Sequence, residues 1–266
     1  MNILFIGDMV APQSIAVAAE AIQAIRNKEK IDLVIANGEN IHIHNGLNKQ
    51  QYKALIESGI DVVTLGNHCW DQPQIYQFID EADRLVRPFN YPSGTPGVGW
   101  RIVDCCHRQV AVLAALGNVG LSTLPSPFHQ IDDAIGLLKE EGVRHIVVDI
   151  HAEATSEKIA FGYYLDGRVS AVLGTHTHVP TADARILPRG TAYQTDIGMT
   201  GPYESVIGMS IDVSVKRFVT QRHVRYEQAS CGRFIFCATL MTLNDDGHAT
   251  AIRPIQSFVD VKEGIC

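Results

Sequence analysis

The first 180 residues alternate between short apolar runs and longer stretches in which apolar residues recur with helical spacing. The short runs are rich in Val, Ile and Leu, which is typical of strands buried within a sheet. They predict strands at 2–7, 32–37, 61–67, 110–117, 144–150 and 170–175. The stretches between them predict helices at 14–27, 48–58, 72–83, 130–142 and 156–165. This alternation favours an α/β fold in which helices cover a sheet.

Residues at the predicted helix boundaries agree with this assignment. Ser14 and Asn48 are suitable N-caps because their side-chain oxygens can accept a hydrogen bond from the first helical turn. Gly59 and Gly142 stand where a helix C-terminus favours a residue in the left-handed conformation.

The last third of the chain has a different pattern. Residues 232–255 form two β-rich runs joined by Asn-Asp-Asp-Gly, which predicts a hairpin. Antiparallel strands at the end of an α/β chain indicate a second sheet or a sheet edge. No linker rich in Pro, Gly or Ser interrupts the sequence, and no internal repeat is present. We therefore expect one domain over residues 1–266.

Composition narrows the class of protein. Hydrophobic residues make up 46% of the 266 residues and charged residues 19%, so the chain can build a sizeable core and does not have the composition of a disordered protein. The formal net charge of −7 argues against a broad basic face that binds duplex nucleic acid. A small anionic substrate remains compatible with this charge if a bound cation supplies local positive potential.

We expect a cytoplasmic protein with reduced thiols and no membrane contact. The N-terminal run lacks the features of a signal peptide, and no apolar stretch approaches the ~20 residues that span a bilayer. The cysteines show no paired CxxC spacing, which leaves a zinc ribbon or a disulfide framework unsupported; they are Cys69, Cys105, Cys106, Cys231, Cys237 and Cys266. The oligomeric state is open, and a homo-oligomer is compatible with the sequence.

Polar residues follow five of the six predicted strands, at the point where each strand ends. They are Asp8, Glu39, Asn40, Asn67, His68, His151, His176 and His178. Open α/β sheets bind ligands outside the carboxyl ends of their strands, so these side chains are expected to converge. Singly, each has an ordinary explanation as a turn former, a helix cap or a loop histidine. Together they favour a functional site.

The residue types indicate a pair of metal ions. Carboxylate oxygen, amide oxygen and neutral imidazole suit iron, manganese, zinc or cobalt. In "HTH" an extended backbone would direct His176 and His178 to the same side. The two oxygens of Glu39 could bridge ions ~3.5–4 Å apart, the spacing of two-metal hydrolases.

Other chemistries lack their sequence signatures. The chain has no G-x-G-x-x-G after the first strand, no P-loop and no G-x-S-x-G elbow. Cys69 follows His68 directly, and adjacent side chains on an extended chain point apart, so we interpret Cys69 as a packing residue. We interpret His42 and His44 as exposed loop residues. Trp70, Tyr91, Tyr193 and Tyr203 are candidates for stacking on a base.

Six motifs, read in order, resemble those of the YmdB-like bacterial metallophosphoesterases, a family of the calcineurin-like superfamily. The motifs are "GDMV", "NGEN", "GNHCWD", "DIHAEATSEK", "GTHTHVPTADARILP" and "TDIGMTGP", and the similarity runs nearly end to end. The resemblance implies a four-layer α/β/β/α sandwich of two mixed sheets. It also implies a dinuclear iron or manganese centre and phosphodiesterase activity on 2′,3′-cyclic nucleotides.

The resemblance also implies a role for each residue at the strand ends. Asp8, Glu39, Asn40 and His178 match the ligands of one metal. Glu39, Asn67, His151 and His176 match those of the other, with Glu39 as the bridge. His68 matches the proton donor that assists a metal-bridged hydroxide. Two departures from the family pattern, Ile41–His44 after "NGEN" and Cys69 in place of Thr, remove none of these residues.

Two alternatives to a cyclic-nucleotide phosphodiesterase remain at this point. The same metal pair serves phosphomonoesterases and nucleotidases. A protein of another class, a regulatory protein that binds a nucleotide or RNA and turns it over slowly, could carry similar residues.

Overall fold

The structure is a computed structural model that describes residues 1–229 and 232–261. The strands are β1 (Asn2–Ile6), β2 (Asp8–Met9), β3 (Leu33–Asn37), β4 (Val62–Thr64), β5 (Leu85–Val86), β6 (Trp100–Cys105), β7 (Arg108–Leu116), β8 (His145–His151), β9 (Ala171–Thr175), β10 (Arg185–Ile186), β11 (Ala192–Gln194), β12 (Met199–Pro202), β13 (Gly232–Leu243) and β14 (Ala249–Val261). The α-helices are α1 (Ser14–Arg26), α2 (Lys49–Glu57), α3 (Pro127–Glu140), α4 (Thr155–Leu165) and α5 (Ile211–Thr220). A 3₁₀ helix spans Pro73–Gln77.

Two mixed sheets contain these strands. In the larger sheet the order is β2-β12-β13-β1-β3-β4-β5, and β14 pairs with β13. Strands β1, β3, β4 and β5 run parallel, whereas β13 is antiparallel to β1, β12 and β14. In the smaller sheet the order is β10-β11-β9-β8-β7-β6, with four parallel central strands and antiparallel edges.

The alternation of side chains along β1 shows how the layers stack. Leu4 and Ile6 face one side, where they belong to a core with residues of α1 and α2. Ile3 and Phe5 face the other side and belong to a core shared with β7, β8 and β9 of the smaller sheet. Each fully buried apolar side chain of this size contributes roughly 1.5–3 kcal/mol through the hydrophobic effect. The two sheets therefore pack directly on each other.

The outer face of the smaller sheet carries α3 and α4. Leu113 of β7 and Val148 of β8 pack there with Ile131 of α3 and Phe161 of α4. The layers follow the order helices, larger sheet, smaller sheet, helices. The expected four-layer α/β/β/α sandwich of two mixed sheets is confirmed.

Most of the predicted elements are present, and the helix at 72–83 is wrong. That segment contains only the 3₁₀ helix Pro73–Gln77 followed by turns. Ile75, Phe78, Ile79 and Ala82 are nevertheless buried, because a series of turns can bury the same spacing of residues as a helix. The short strands β2, β5, β6 and β10–β12 and the helix α5 have no counterpart among the predicted elements.

The predicted helix boundaries are largely confirmed. Asn48 caps α2, where its side chain accepts from Gln51 N at 2.9 Å and Gln51 reciprocates as a capping box. Gly59 and Gly142 have positive φ of 98° and 82° after α2 and α3. Ser14 is the first residue of α1 instead of its cap, and its hydroxyl donates to the carbonyl of Ala11.

Four cysteines in the described part of the chain are free thiols, namely Cys69, Cys105, Cys106 and Cys237. Cys231 and Cys266 lie outside the described residues. Cys69 is fully buried in the core against the larger sheet, where burial raises the pKa of its thiol well above the usual range. Among residues 1–229 and 232–261, no helix has the length and apolar character needed to cross a membrane.

Candidate metal centre

The two sheets deliver polar side chains to one shared edge. From the larger sheet come Asp8 at the start of β2, Glu39 and Asn40 after β3, and Asn67 and His68 after β4. From the smaller sheet come His151, the last residue of β8, and His176 and His178 after β9. Parallel neighbours end at the same edge of a sheet, so the convergence follows from the topology.

One group of side chains surrounds Nε2 of His151. This atom lies 2.8 Å from Glu39 Oε1, 2.9 Å from Asn67 Oδ1 and 3.1 Å from His176 Nδ1. Glu39, His151 and His176 offer ligand atoms that all lie within 4.8 Å of one another. An imidazole nitrogen, a carboxylate oxygen and an amide oxygen therefore share one small volume.

A second group surrounds Nε2 of His178. Asn40 Nδ2 lies 3.3 Å from this nitrogen, and Asp8 Oδ1 lies 3.9 Å from it. Asp8 Oδ1 also lies 3.9 Å from His151 Nδ1, so the two groups are direct neighbours. The other oxygen of Asp8 accepts a hydrogen bond from the backbone N–H of His176 at 3.0 Å, which ties the two sheets together.

A buried network fixes the ring of His151. The Thr175 hydroxyl donates to Asp149 Oδ1 at 2.6 Å, so its oxygen is left to accept from Nδ1 of His151 at 2.8 Å. Asp149 is fully buried and also accepts from Thr64 and Asn37. With the Nδ1 proton directed at Thr175, the neutral ring would present the lone pair of Nε2 to the cluster, the arrangement that metal-binding histidines use.

His178 is oriented in the same way. Its Nδ1 donates to the backbone carbonyl of Ile207 at 2.9 Å, which leaves Nε2 facing Asp8 and Asn40. The expectation of an extended "HTH" segment is wrong, because His176 and His178 have positive φ of 101° and 64°. Positive φ is uncommon for residues other than Gly, and such strained positions cluster at functional sites.

A buried ion pair holds the strained loop. Lys158 of α4 lies 2.7 Å from Asp196 and donates also to the carbonyl of Thr175 at 2.6 Å. Asp196 accepts from the backbone and the hydroxyl of Thr177, between the two histidines. Removing one partner of such a pair costs roughly 3–5 kcal/mol, because the other charge is left buried and unpaired.

The roles of Lys158, Asp196 and Asp149 were not predicted from the sequence, although all three lie within the quoted motifs. A lysine in a helical pattern normally predicts an exposed residue, so spacing carried no signal for its burial. The sequence also carried no signal for Thr175, because its role is to accept a hydrogen bond from the ring of His151.

The charged groups of the cluster shift one another's pKa values. Burial raises the pKa of Asp8 to about 6, against the opposing effect of His178 and His151. Burial would raise the pKa of Glu39 too, but the charge and hydrogen bond of His151 lower it to about 2. Burial alone would lower the pKa of His151, whereas Glu39 and Asp8 raise it to about 9. Burial and the charge of His151 lower the pKa of His176 to about 3.

These groups fit metal ions. Asp8 Oδ1 is fully buried yet has no hydrogen-bond donor among the described residues, and Glu39 Oε1, which is equally buried, faces only the ring nitrogen of His151 at 2.8 Å. Buried carboxylate oxygens without a partner are costly, and a cation at this point would satisfy them. A cation would also replace the proton on Nε2 of His151, since ligating imidazoles must be neutral. The donor set of carboxylate, amide and imidazole suits first-row transition metals.

His68 lies beside the cluster and reaches solvent. Its backbone N–H donates to Glu39 Oε2 at 3.0 Å, and its Nδ1 lies 2.7 Å from Asp71 Oδ2. The side chain is 29% exposed, so a bound molecule can reach it. The Asp71 carboxylate orients the ring. Asn45 Nδ2 lies 3.3 Å from the other ring nitrogen.

A cleft of about 480 Å³ opens above these residues, and we call it the central cleft. Its polar wall contains His68, His176 and His178, and its apolar wall includes Ile207, Met209, Phe218 and Tyr226. The four aromatic residues that the sequence suggested for base stacking do not line it. Tyr193, for example, is fully buried and its hydroxyl bonds to Thr195. His42 and His44 also lie outside the central cleft.

Two glycines allow the close approach of the elements at the site. A Cβ on Gly66 would lie 2.3–2.5 Å from the ring of His151. A Cβ on Gly7 would lie 1.9 Å from the carbonyl oxygen of Gly198. Real Cβ atoms do not approach so closely, so a side chain at either position would displace the neighbouring residues.

The fold and the family of the chain are shared with known proteins. A two-sheet α/β sandwich with paired metal-type clusters at the shared strand edge is a calcineurin-like metallophosphoesterase fold. The family model of the YmdB-like proteins matches residues 4–255, and the chain belongs to that family.

Known relatives extend over nearly the whole chain. The 2′,3′-cyclic-nucleotide 2′-phosphodiesterase of Bacillus subtilis (strain 168) is 45% identical over 92% of this chain and 92% of its own length. A crystal structure described as a novel phosphatase from Mycoplasma pneumoniae has a TM-score of 0.90 and 30% identity, covering 98% of this chain and 94% of its own. A hypothetical protein from Thermus thermophilus has a TM-score of 0.90 and 43% identity, covering 97% of this chain and 99% of its own.

We predict that Gly66→Ala destabilises the protein through the site. The new methyl group would overlap the ring of His151, and overpacking of this kind costs about 1–3 kcal/mol. Urea denaturation of the metal-free protein measures the loss. Gly136→Ala is the matched control, because a Cβ there meets nothing within 4 Å and Ala favours helix α3. Equal stability of the two variants would contradict the predicted overlap.

Proposed function

We propose that the protein is a phosphodiesterase that uses two metal ions to hydrolyse 2′,3′-cyclic nucleotides or related small phosphodiesters. The observation that supports this proposal most strongly is a pair of buried carboxylate oxygens that face imidazole nitrogens. Asp8 Oδ1 has no hydrogen-bond donor among the described residues, and the contact of Glu39 Oε1 is the ring nitrogen of His151 at 2.8 Å. The name of the Bacillus subtilis relative supplies the substrate class. A cytoplasmic location belongs to the same proposal.

We assign the ligands as two sets that share one residue. Asp8, Asn40 and His178 hold one ion, and Asn67, His151 and His176 hold the other. Glu39 contributes to both, as the sequence comparison with the family implied. Iron and manganese are the proposed metals, and the donor types are equally suited to zinc or cobalt.

When bound, two such ions lower the pKa of a shared water and neutralise the charge that develops on the phosphate oxygens. The residues of the chain position the substrate and transfer the proton. His68 stands at the wall of the central cleft, with Asp71 holding its ring. It donates a proton to the departing ribose oxygen, which would otherwise leave as a poor alkoxide. Cleavage of the bond to the 2′ oxygen leaves a 3′-phosphate.

The substrate class is tested by comparing 2′,3′-cyclic AMP with 3′-AMP and 5′-AMP on the metal-loaded protein. We expect kcat/KM for the cyclic diester to exceed that for either monoester by at least about tenfold, an energy difference of about 1.4 kcal/mol in the transition state. Turnover of the monoesters alone would favour a nucleotidase. Tight binding of the nucleotides with no metal-dependent turnover would favour the regulatory class.

The shared role of Glu39 predicts the metal content of Glu39→Ala. Loss of a residue that only hydrogen-bonds a metal ligand weakens metal binding by roughly 10–100-fold. Loss of a ligand that both ions share is therefore expected to have a larger effect. Elemental analysis after metal loading and desalting measures the retained ions. The control Glu20→Ala removes an exposed carboxylate of α1 and is expected to retain two ions per chain. Two ions per chain in Glu39→Ala would refute the bridge.

The role of His68 predicts a loss that depends on the leaving group. His68→Ala is expected to lower kcat for 2′,3′-cyclic AMP by about 10²–10⁴-fold, the usual contribution of a general acid, with unchanged metal content. The loss should be much smaller for bis(p-nitrophenyl) phosphate, because p-nitrophenolate leaves without a proton. His129→Ala, on the exposed face of α3, is the control. An equal loss for both substrates would remove His68 from proton transfer.

A further inference from the structure

A second cleft adjoins the central cleft, and Tyr226 lines both. We call the second one the outer cleft. It has a volume of about 390 Å³ and its lining includes Ile43, His44, Arg225 and Gln228. Because Tyr226 lines both, the two clefts are neighbours, with His176 and His178 on the inner side and the loop that follows Asn40 on the outer side; we call the pair of clefts the track. Each cleft is within the usual size range of sites for small ligands, so the track is longer than one such ligand requires.

The segment beside this track is basic in a protein of net charge −7. Residues 212–227 contain four cationic residues, Lys216, Arg217, Arg222 and Arg225, and two acidic residues, Asp212 and Glu227, of which Glu227 also lines the outer cleft. The segment keeps an excess of positive charge. Lys216, Arg222 and Arg225 are exposed. A local excess of positive charge on an acidic protein indicates an anionic partner at this place.

Aromatic and apolar side chains stand among these cations. Phe218 is 66% exposed and Tyr226 42%, although both line the central cleft. The guanidinium of Arg217 lies 4.5 Å from the centre of the Tyr226 ring, which holds that ring in place by a cation–π interaction. Exposed rings interleaved with cations are the arrangement by which proteins bind single-stranded nucleic acids, with bases on the rings and phosphates on the cations.

We propose that the preferred substrate is a single-stranded oligoribonucleotide whose 3′ end carries a 2′,3′-cyclic phosphate. The terminal phosphate enters the central cleft, Phe218 and Tyr226 stack on bases, and Arg225 contacts the phosphate of the preceding nucleotide in the outer cleft. Stacking of this kind needs unpaired bases, which a duplex does not offer. This inference rests on the proposed phosphodiesterase function and names its substrate more narrowly.

The chemical step is the same for the longer substrate. Water adds across the ring: its hydroxyl joins phosphorus, the bond from phosphorus to the 2′ oxygen breaks, and the 2′ oxygen takes up a proton. The product is an oligonucleotide that ends in a 3′-phosphate. No oxidant, reductant or further co-reactant is required.

Steady-state kinetics compare 2′,3′-cyclic AMP with a trimer of adenylate that ends in the same cyclic phosphate. Stacking on an aromatic side chain contributes about 1–3 kcal/mol per base. We therefore expect kcat/KM for the trimer to exceed that for 2′,3′-cyclic AMP by about tenfold or more. Arg225→Ala is expected to reduce this ratio severalfold. Arg144→Ala is the control, because this exposed arginine lies at the opposite ends of the strands, before β8, and should leave both substrates unaffected.

Binding supplies a readout other than turnover. Fluorescence anisotropy of a labelled single-stranded product, a hexamer with a 3′-phosphate, is measured on the metal-loaded protein at increasing salt. We expect the Kd to rise with salt concentration and to rise roughly tenfold in Tyr226→Ala. The same strand in a duplex should bind more weakly.

The outcomes separate the two proposals. Turnover of 2′,3′-cyclic AMP with no preference for the trimer would contradict only the oligonucleotide inference. Turnover of neither substrate would contradict the phosphodiesterase function itself. Two other results would also overturn the inference. One is binding of the protein to anionic phospholipid vesicles through α5, and the other is self-association through α5. Either result counts if saturating oligonucleotide does not disturb the interaction and Phe218→Glu abolishes it.

Discussion

The structure depends on the burial of two carboxylates, Asp8 and Glu39, at the edge where two sheets meet. Neither is exposed; Asp8 Oδ1 has no hydrogen-bond donor among the described residues, and Glu39 Oε1 faces the ring of His151 at 2.8 Å. Burying a charge without compensation is expensive, so the surroundings must supply positive charge. In the protein alone, a protonated His151 supplies part of it. The two metal ions that we propose would supply the remainder.

The architecture follows from the need to bring these carboxylates to the histidines. Asp8 and Glu39 follow β1 and β3 of the larger sheet. His151 is the last residue of β8 in the smaller sheet, and His176 and His178 follow β9. The faces of the two sheets therefore pack through apolar residues such as Phe5 and Val112, with no helix between them. The buried pair of Lys158 and Asp196 then stabilises the strained backbone of the histidine loop. The packing of the sheets, the strained loop and the buried ion pair together position the carboxylates and the histidines of the site.

Much of this arrangement could be predicted from the sequence, because strand runs and the polar residues that end them are local patterns. Residues such as Glu39 and His151 could be placed at a common edge by topology alone. The sequence could not show that Lys158 is buried, since its partner Asp196 is distant along the chain. Nor could it show the left-handed backbone of His176 and His178, which donate hydrogen bonds to the distant residues Asp8 and Ile207. The 3₁₀ helix at Pro73–Gln77 was mistaken for an α-helix because both bury the same spacing of residues.

The most direct test of the account is anomalous diffraction from crystals of the protein loaded with manganese. Two peaks are predicted about 3.5–4 Å apart, the usual separation in two-metal hydrolases. One should lie among Asp8, Asn40 and His178, and the other among Asn67, His151 and His176, with Glu39 between them. A single peak, or two peaks that Glu39 does not touch, would contradict the proposed dinuclear centre.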